Sequence, residues 1–264
     1  MIVVDMATSS LTYHMIATLV LSCLDSPVPE PQTPTSLAAP AVAIAVRSLS
    51  KAYPGGINAV RDINLEIAQG EMVAIMGKSG SGKSTLLNLI GSLDKPDSGS
   101  VSYHGVDLRE VRDLARFRSR EIGFVFQLHY LLPHLSLLDN VALPLFGQRD
   151  ARERAAAALG EVGLAHRVHH VPGKVSGGER QRAAIARAIV NNPRVLLADE
   201  PTGNVDSVTE AALLELFQNL RSRHGMTLVV VTHEPSVAAR ADRIIHIKDG
   251  AIDRIEAGKG GREL

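Results

Sequence analysis

Apolar and polar positions alternate along Val42–Tyr53 and again along 57–67, and Pro54-Gly55-Gly56 between them reads as a turn. This is the period-two pattern of strands with one buried face. The unbroken apolar run Met72-Val73-Ala74-Ile75-Met76 predicts another strand, and Leu86-Leu87-Asn88-Leu89-Ile90 predicts a helix. Residues 99–103 and 122–126 add strands. Short β-branched runs at 195–198, 228–231 and 244–247 are separated by helical patterns, which is the signature of a parallel sheet. Segments 137–145 and 151–162 are helical with no such strand between Gln127 and Ser176, and the alanine-rich run 183–190 carries Ile185 and Ile189 at helical spacing. The pattern predicts an α/β fold with an all-β edge, in one domain from 41 to 264 and without internal repeats.

The stretch Gly77-Lys78-Ser79-Gly80-Ser81-Gly82-Lys83-Ser84-Thr85 matches the phosphate-binding pattern G-x-x-x-x-G-K-[ST]. A strand precedes it and a helix follows it, which a Gly/Ser-rich linker would not show. Small residues let successive backbone N–H groups curl around phosphates, and the helix start adds its positive end. Lys83 supplies a point charge to the β/γ-phosphates, and the Ser84 hydroxyl is placed for Mg²⁺. The chain is expected to bind a nucleoside triphosphate.

A second motif, Val175-Ser176-Gly177-Gly178-Glu179-Arg180-Gln181-Arg182, opens the alanine-rich helix. Soon after, Val195-Leu196-Leu197-Ala198-Asp199-Glu200-Pro201 reads as a buried strand ending in two carboxylates. This order resembles the ATP-binding-cassette (ABC) ATPases, over roughly residues 41 to 256. Tyr53 stands where the adenine-stacking aromatic belongs, Gln127 at the Q-loop, Gly203-Asn204-Val205-Asp206 at the D-loop and His233 at the switch histidine. The signature departs at Val175, where leucine is commoner. The stretches 124–135, 176–182 and 198–206 are similar to one exporter subgroup, which includes the lipoprotein-releasing, macrolide-export and peptide-resistance ATPases.

The resemblance implies a P-loop NTPase cassette: a RecA-like core with a parallel sheet, an antiparallel β subdomain, and an inserted helical subdomain at about 106–185. It implies Mg²⁺-dependent ATP hydrolysis with Glu200, His233, Gln127 and Lys83 as catalytic residues. Asp199 is suited to hold Mg²⁺ through water, alongside Ser84 and Gln127. Glu200 is expected to point elsewhere because side chains alternate along an extended segment, which lets it reach the attacking water as general base. Positioning and electrostatics carry most of such catalysis. Tyr53, residues 77–85, Ser176, Gly177, Gly178, Glu179 and Asp206 are the expected ATP contacts. The Ser176-Gly177-Gly178 turn has phosphate-binding composition although the chain already has a phosphate loop. In ABC ATPases the signature of one subunit caps the ATP of the other, so the expected assembly is a head-to-tail homodimer.

Lys+Arg and Asp+Glu balance at 28 each, so no global charge recruits nucleic acid. The single cysteine, Cys23, excludes an internal disulfide and fits a reducing setting. No apolar run reaches the roughly 20 residues that span a bilayer. The expected partner is therefore an integral membrane permease subunit in a separate chain, with this chain peripheral on the cytoplasmic face of the inner membrane. The alternative is a cassette serving a cell-division or signalling complex that moves no cargo.

The apolar stretch 11–24 lacks a basic start, and Pro27, Pro29, Pro31, Pro34 and Pro40 follow it, so 1–40 reads as a poorly structured leader. His166, His169 and His170 have zinc-compatible spacing but sit before Pro172-Gly173 and read as a solvated loop. Arg109, Arg112, Arg116, Arg118 and Arg120 interleave with acids and read as a solvated helix face. Leu128, Tyr130, Leu131, Leu132 and Leu135 around Pro133 exceed what one turn could bury and predict a docking surface for the membrane subunit.

Overall fold

In the computed structural model, residues 41–203 and 205–260 are described. The expectations for the leader 1–40 lie outside them.

Two sheets organise these residues. Strands β1 (Val42–Tyr53) and β2 (Ile57–Ala68) pair antiparallel through the turn at 54–56, with Val46 opposite Leu65 and Tyr53 opposite Ile57. With β4 (Ser98–Tyr103) and β5 (Val106–Asp107) they form a four-stranded sheet of order β2-β1-β4-β5. The second sheet contains β3 (Met72–Met76), β6 (Ile122–Phe126), β7 (Val195–Asp199), β8 (Thr227–Thr232), β9 (Arg243–Lys248) and β10 (Ala251–Ala257). Its order is β10-β9-β3-β8-β7-β6, parallel throughout except for the antiparallel edge strand β10.

The period-two pleat explains why the central strands are apolar at every position. Met72, Ala74, Leu196, Ala198, Leu228 and Val230 enter one core cluster. Their alternates Val73, Ile75, Val195, Leu197, Val229 and Val231 enter another, on the opposite face. Helix α1 (Lys83–Ile90) and the antiparallel sheet cover this second face, through Leu86, Leu87, Leu89, Ile90, Ile44 and Val46.

Helix α2 (Leu114–Glu121) precedes β6, and α3 (Leu137–Ala142) and α4 (Ala151–Glu161) follow it. Then come α5 (Gly177–Ile189), α6 (Ser207–His224) and the short α7 (Pro235–Ala238). Residues of α3 to α6 complete the first cluster, among them Val141, Leu159, Ile185 and Phe217.

The span 106–185, expected as the inserted helical part, is not helical throughout. Strand β6 lies inside it and pairs parallel with β7, Phe124 opposite Leu197, as an edge of the large sheet. Its buried residues Ile122, Phe124 and Val125 tie it to the sheet core, as the strand expected at 122–126, and within the span the helices α3 and α4 follow Phe126. Two surface expectations change as well. Arg118 is not a fully solvated cation: it donates to the Ser92 carbonyl at 2.9 Å, and burial lowers its pKa. Leu131 packs against the first core cluster, and Leu128 is the residue of that apolar group that stands out, 65% exposed. Among the described residues, no helix is long and apolar enough to cross a membrane.

Candidate functional site

The phosphate loop runs from the end of β3 into α1, and its backbone leaves no room for side chains at the turn into the helix. Gly82 caps α1 at φ 101, and a Cβ there would lie 2.0 Å from the Ala59 carbonyl oxygen. Only glycine fits both constraints. The Lys83 side chain is buried and folds back along the loop, donating to the carbonyls of Gly77 at 2.8 Å and Lys78 at 3.0 Å. Its ammonium is thereby held at the mouth of the loop. The loop is pinned from outside: Gly250 N–H donates to the Ser81 carbonyl at 3.0 Å, and Arg61 N–H donates to Gly250 O at 2.7 Å.

Asp199 ends β7 and meets α1, accepting from the Ser84 hydroxyl at 3.2 Å. Burial raises its pKa, and the neighbouring Glu200 charge adds to the rise. A carboxylate in that condition gains from a cation. Ser84 hydroxyl, Asp199 carboxylate and Gln127 amide offer oxygen donors only, the set a hard divalent cation takes. The residues therefore fit Mg²⁺.

Glu200 faces away from Asp199, but not by strand alternation. The strand has ended, and Glu200 sits in the left-handed region at φ 44 with its N–H bonded to Val231 O at 2.9 Å. The turn, rather than the pleat, aims its carboxylate. Oε1 lies 2.8 Å from His233 Nδ1, one residue beyond β8. Oε2 is buried and has no hydrogen-bond partner. The hydrogen bond to Glu200 and the charge behind it raise the His233 pKa.

Lys83, Ser84, Gln127, Glu200 and His233 share one cleft of about 940 Å³; Asp199, which reaches it through Ser84, and Ser81 are not among the described lining residues. The cleft is lined by Tyr53, residues 77–80 and 82–85, Gln127, Glu200 and His233. Also lining it are Asn58, Ala59, Arg61, Asp249 and Gly250, which sequence reading did not single out. The Asp249-Gly250 pair reads as a turn signal, but nothing in the sequence placed that turn beside the loop.

The remaining predicted contacts stand elsewhere. Ser176, Gly177, Gly178, Glu179 and Asp206 are not among the described lining residues. Ser176 and Glu179 form a reciprocal capping box at the start of α5, and Arg167 pairs with Glu179 at 3.0 Å. Asp206 caps α6, accepting from the N–H groups of Val208 and Thr209 and from the Thr209 hydroxyl. Gly178 lies against this cap, where an added Cβ would be 2.6 Å from Thr209 Cγ2. The signature turn and the Asp206 cap thus pack together outside the described lining of the chain's own cleft, while Gly203 lies against the cleft-lining Gln127 and Glu200.

A strand–loop–helix phosphate cradle beside the carboxyl ends of a parallel sheet defines a P-loop nucleotide-binding ATPase. The comparisons narrow the class. Residues 60–203 match the family model described as ABC transporter, and the chain belongs to that family as an ATP-hydrolysing cassette. The Lipoprotein-releasing system ATP-binding protein LolD of Bordetella pertussis is 50% identical over 220 residues, covering 80% of this chain and 95% of that protein. The Macrolide export ATP-binding/permease protein MacB of Rhodopirellula baltica is 52% identical over 201 residues, covering 73% of this chain and only 29% of that protein. Among solved structures, the dimeric post-hydrolysis state of the ATP-binding cassette MJ0796 bound to ADP and Pi superposes with a TM-score of 0.76 and 42% identity. It covers 83% of this chain and 100% of that one.

Proposed function

We propose that this chain hydrolyses ATP to drive a separate integral membrane subunit in export, lipoprotein-release or peptide-resistance work. It would act from the cytoplasmic face of the membrane as a head-to-tail homodimer. Similarity to LolD over nearly all of that protein's length supports the first part. The second is supported by a signature turn that stands apart from the chain's own nucleotide cleft.

In this reading Tyr53 meets the base, and the N–H groups of 77–85 with the Lys83 ammonium hold the β/γ-phosphates. Ser84, Gln127 and, through water, Asp199 would hold Mg²⁺, which neutralises phosphate charge when bound. Glu200 accepts the proton of the attacking water at Oε2. His233 donates to Glu200 Oε1 and steadies the carboxylate, and its Nε2, now 3.2 Å from Glu234 Oε1, would turn to the γ-phosphate. Ser176, Gly177, Gly178 and Glu179 cap the ATP of the partner subunit, with Asp206 holding the adjoining turn.

The observation that carries this reading is the buried Glu200 Oε2, which has no partner inside the protein while Oε1 is fixed by His233. A buried carboxylate oxygen without a partner, on a residue that lines the cleft, is suited to accept from a water. Accordingly, Glu200→Gln keeps nucleotide binding and loses turnover by about 10²–10⁴-fold, whereas Lys83→Met loses binding. Equilibrium nucleotide titration alongside steady-state phosphate release checks both. Turnover near the parent rate in Glu200→Gln would remove Glu200 from the role.

A further inference from the structure

Tyr53 ends β1 and lines the cleft, with 37% of its surface exposed. Its ring is nevertheless held by Asp94, Lys51 and a side-chain hydrogen bond with Thr85. The hydroxyl donates to Asp94 Oδ2 at 2.8 Å, and the Lys51 ammonium lies 5.3 Å from the ring centroid. Lys51 is itself fixed, its side chain only 13% exposed, donating to Asp94 Oδ1 at 3.2 Å and to the Lys95 carbonyl at 2.7 Å. Asp97 completes the lacing: it accepts from Ala52 N–H at 2.7 Å, and its own N–H donates to Ser50 O at 2.9 Å. The loop 94–97 after α1 is therefore tied to the last residues of β1.

Neither Lys51 nor Asp94 is among the described residues lining the cleft, so both act on the ring from outside it. A tethered hydroxyl fixes the tilt of the ring, and a cation against the π-system occupies ring surface that a ligand cannot then use. A ring frozen before binding spares the ligand the entropy of ordering it. A ring restrained in this way presents a fixed face to whatever stacks on it.

We propose that Asp94 and Lys51 are positioning residues for nucleotide affinity, holding the Tyr53 ring as a pre-set stacking platform for a purine base. The inference rests on the reading that the base lies on Tyr53. Stacking tolerates base identity, because every base has a π-face. The platform therefore strengthens binding of adenine and guanine nucleotides alike.

The test is calorimetric titration of the full-length chain with ADP and with GDP. Asp94→Ala weakens both nucleotides by the same factor, about 3–10-fold. Asp94→Asn, which still accepts from the tyrosine hydroxyl, stays near the parent affinity. In a Tyr53→Phe background the Asp94→Ala effect shrinks to the part carried through Lys51, a result a general structural role would not give. Lys51→Met weakens both nucleotides in the same direction. If Tyr53→Ala leaves both affinities unchanged, the base reading itself fails. If Tyr53→Ala weakens them while Asp94→Ala does not, the platform is self-standing and the proposal is wrong. An Asp94→Ala effect on ADP alone, or one that persists undiminished in Tyr53→Phe, likewise overturns it.

Discussion

Glu200 and His233 form the pair on which the proposed chemistry turns, and both owe their placement to the ends of neighbouring strands. The left-handed backbone at Glu200 costs a non-glycine residue roughly 1–2 kcal/mol, a strain of the kind that collects at functional sites. What that strain obtains is direction: one oxygen to His233 and the other left open. The carboxylate raises the His233 pKa above its ordinary 6.5. A histidine with a raised folded pKa contributes stability that is complete below about 6.5 and is lost as pH rises through the raised value. His233 is largely exposed, so solvent screening keeps this contribution small. The titration midpoint is the sharper readout. Followed by NMR of the imidazole, His233 titrates above 6.5 in the parent protein, and Glu200→Gln brings the midpoint down. A midpoint indifferent to that change would assign the shift to another group.

Helix α5 shows how one element serves distant parts of the molecule. Its N-terminus is the capped signature turn, and nearly three turns later the half-buried Arg187 lies against the chain that follows β6. Arg187 donates to the carbonyls of His129 and Tyr130, each at 2.6 Å. Both residues are left-handed, at φ 61 and φ 47. Burial depresses the guanidinium pKa to about 10, so the cation is kept by these carbonyls at a desolvation cost. Arg187→Met leaves the carbonyls unpaired in a strained turn two and three residues after Gln127. The expected loss is about 2–4 kcal/mol of unfolding free energy, measured by denaturant titration. Along the same turn, Leu131→Asp destabilises the fold because Leu131 packs on the core, whereas Leu128→Asp melts like the parent. If Leu128 meets the membrane subunit, Leu128→Asp also loses that partner in detergent pull-down. A folded Leu128→Asp that still binds and couples moves the docking surface elsewhere.

At the scale of the whole molecule, the phosphate cleft and the signature turn are separate surfaces of one chain, and one copy supplies only half of the contacts proposed for each ATP. Two-fold pairing is the arrangement that makes both sites equivalent. Glu200→Gln, which binds without turnover, therefore dimerises in ATP with Mg²⁺, and adding Ser176→Arg abolishes the dimer. Light scattering after size exclusion reads this directly. A strict monomer at saturating ATP argues against a shared site.

Much of this was legible in the residues themselves, because the signals are local. Strand pleating sorts Met72-Val73-Ala74-Ile75-Met76 onto two faces, the glycines of 77–85 demand a tight anion cradle, and helix starts carry their own caps, as at Ser176 and Asp206. Sequence spacing alone thus determined the α/β class, the phosphate loop and the strand-end carboxylates. Four features depended on contacts between residues far apart in the chain. They are the edge position of β6 in the large sheet, the turn that aims Glu200, the Asp249-Gly250 corner against the loop, and the tether from Asp94 to Tyr53. Period and propensity report what a residue does to its neighbours within a few positions. Which strand ends lie side by side, and which carbonyl a half-buried cation meets, is set only when the sheet closes and its two cores are filled.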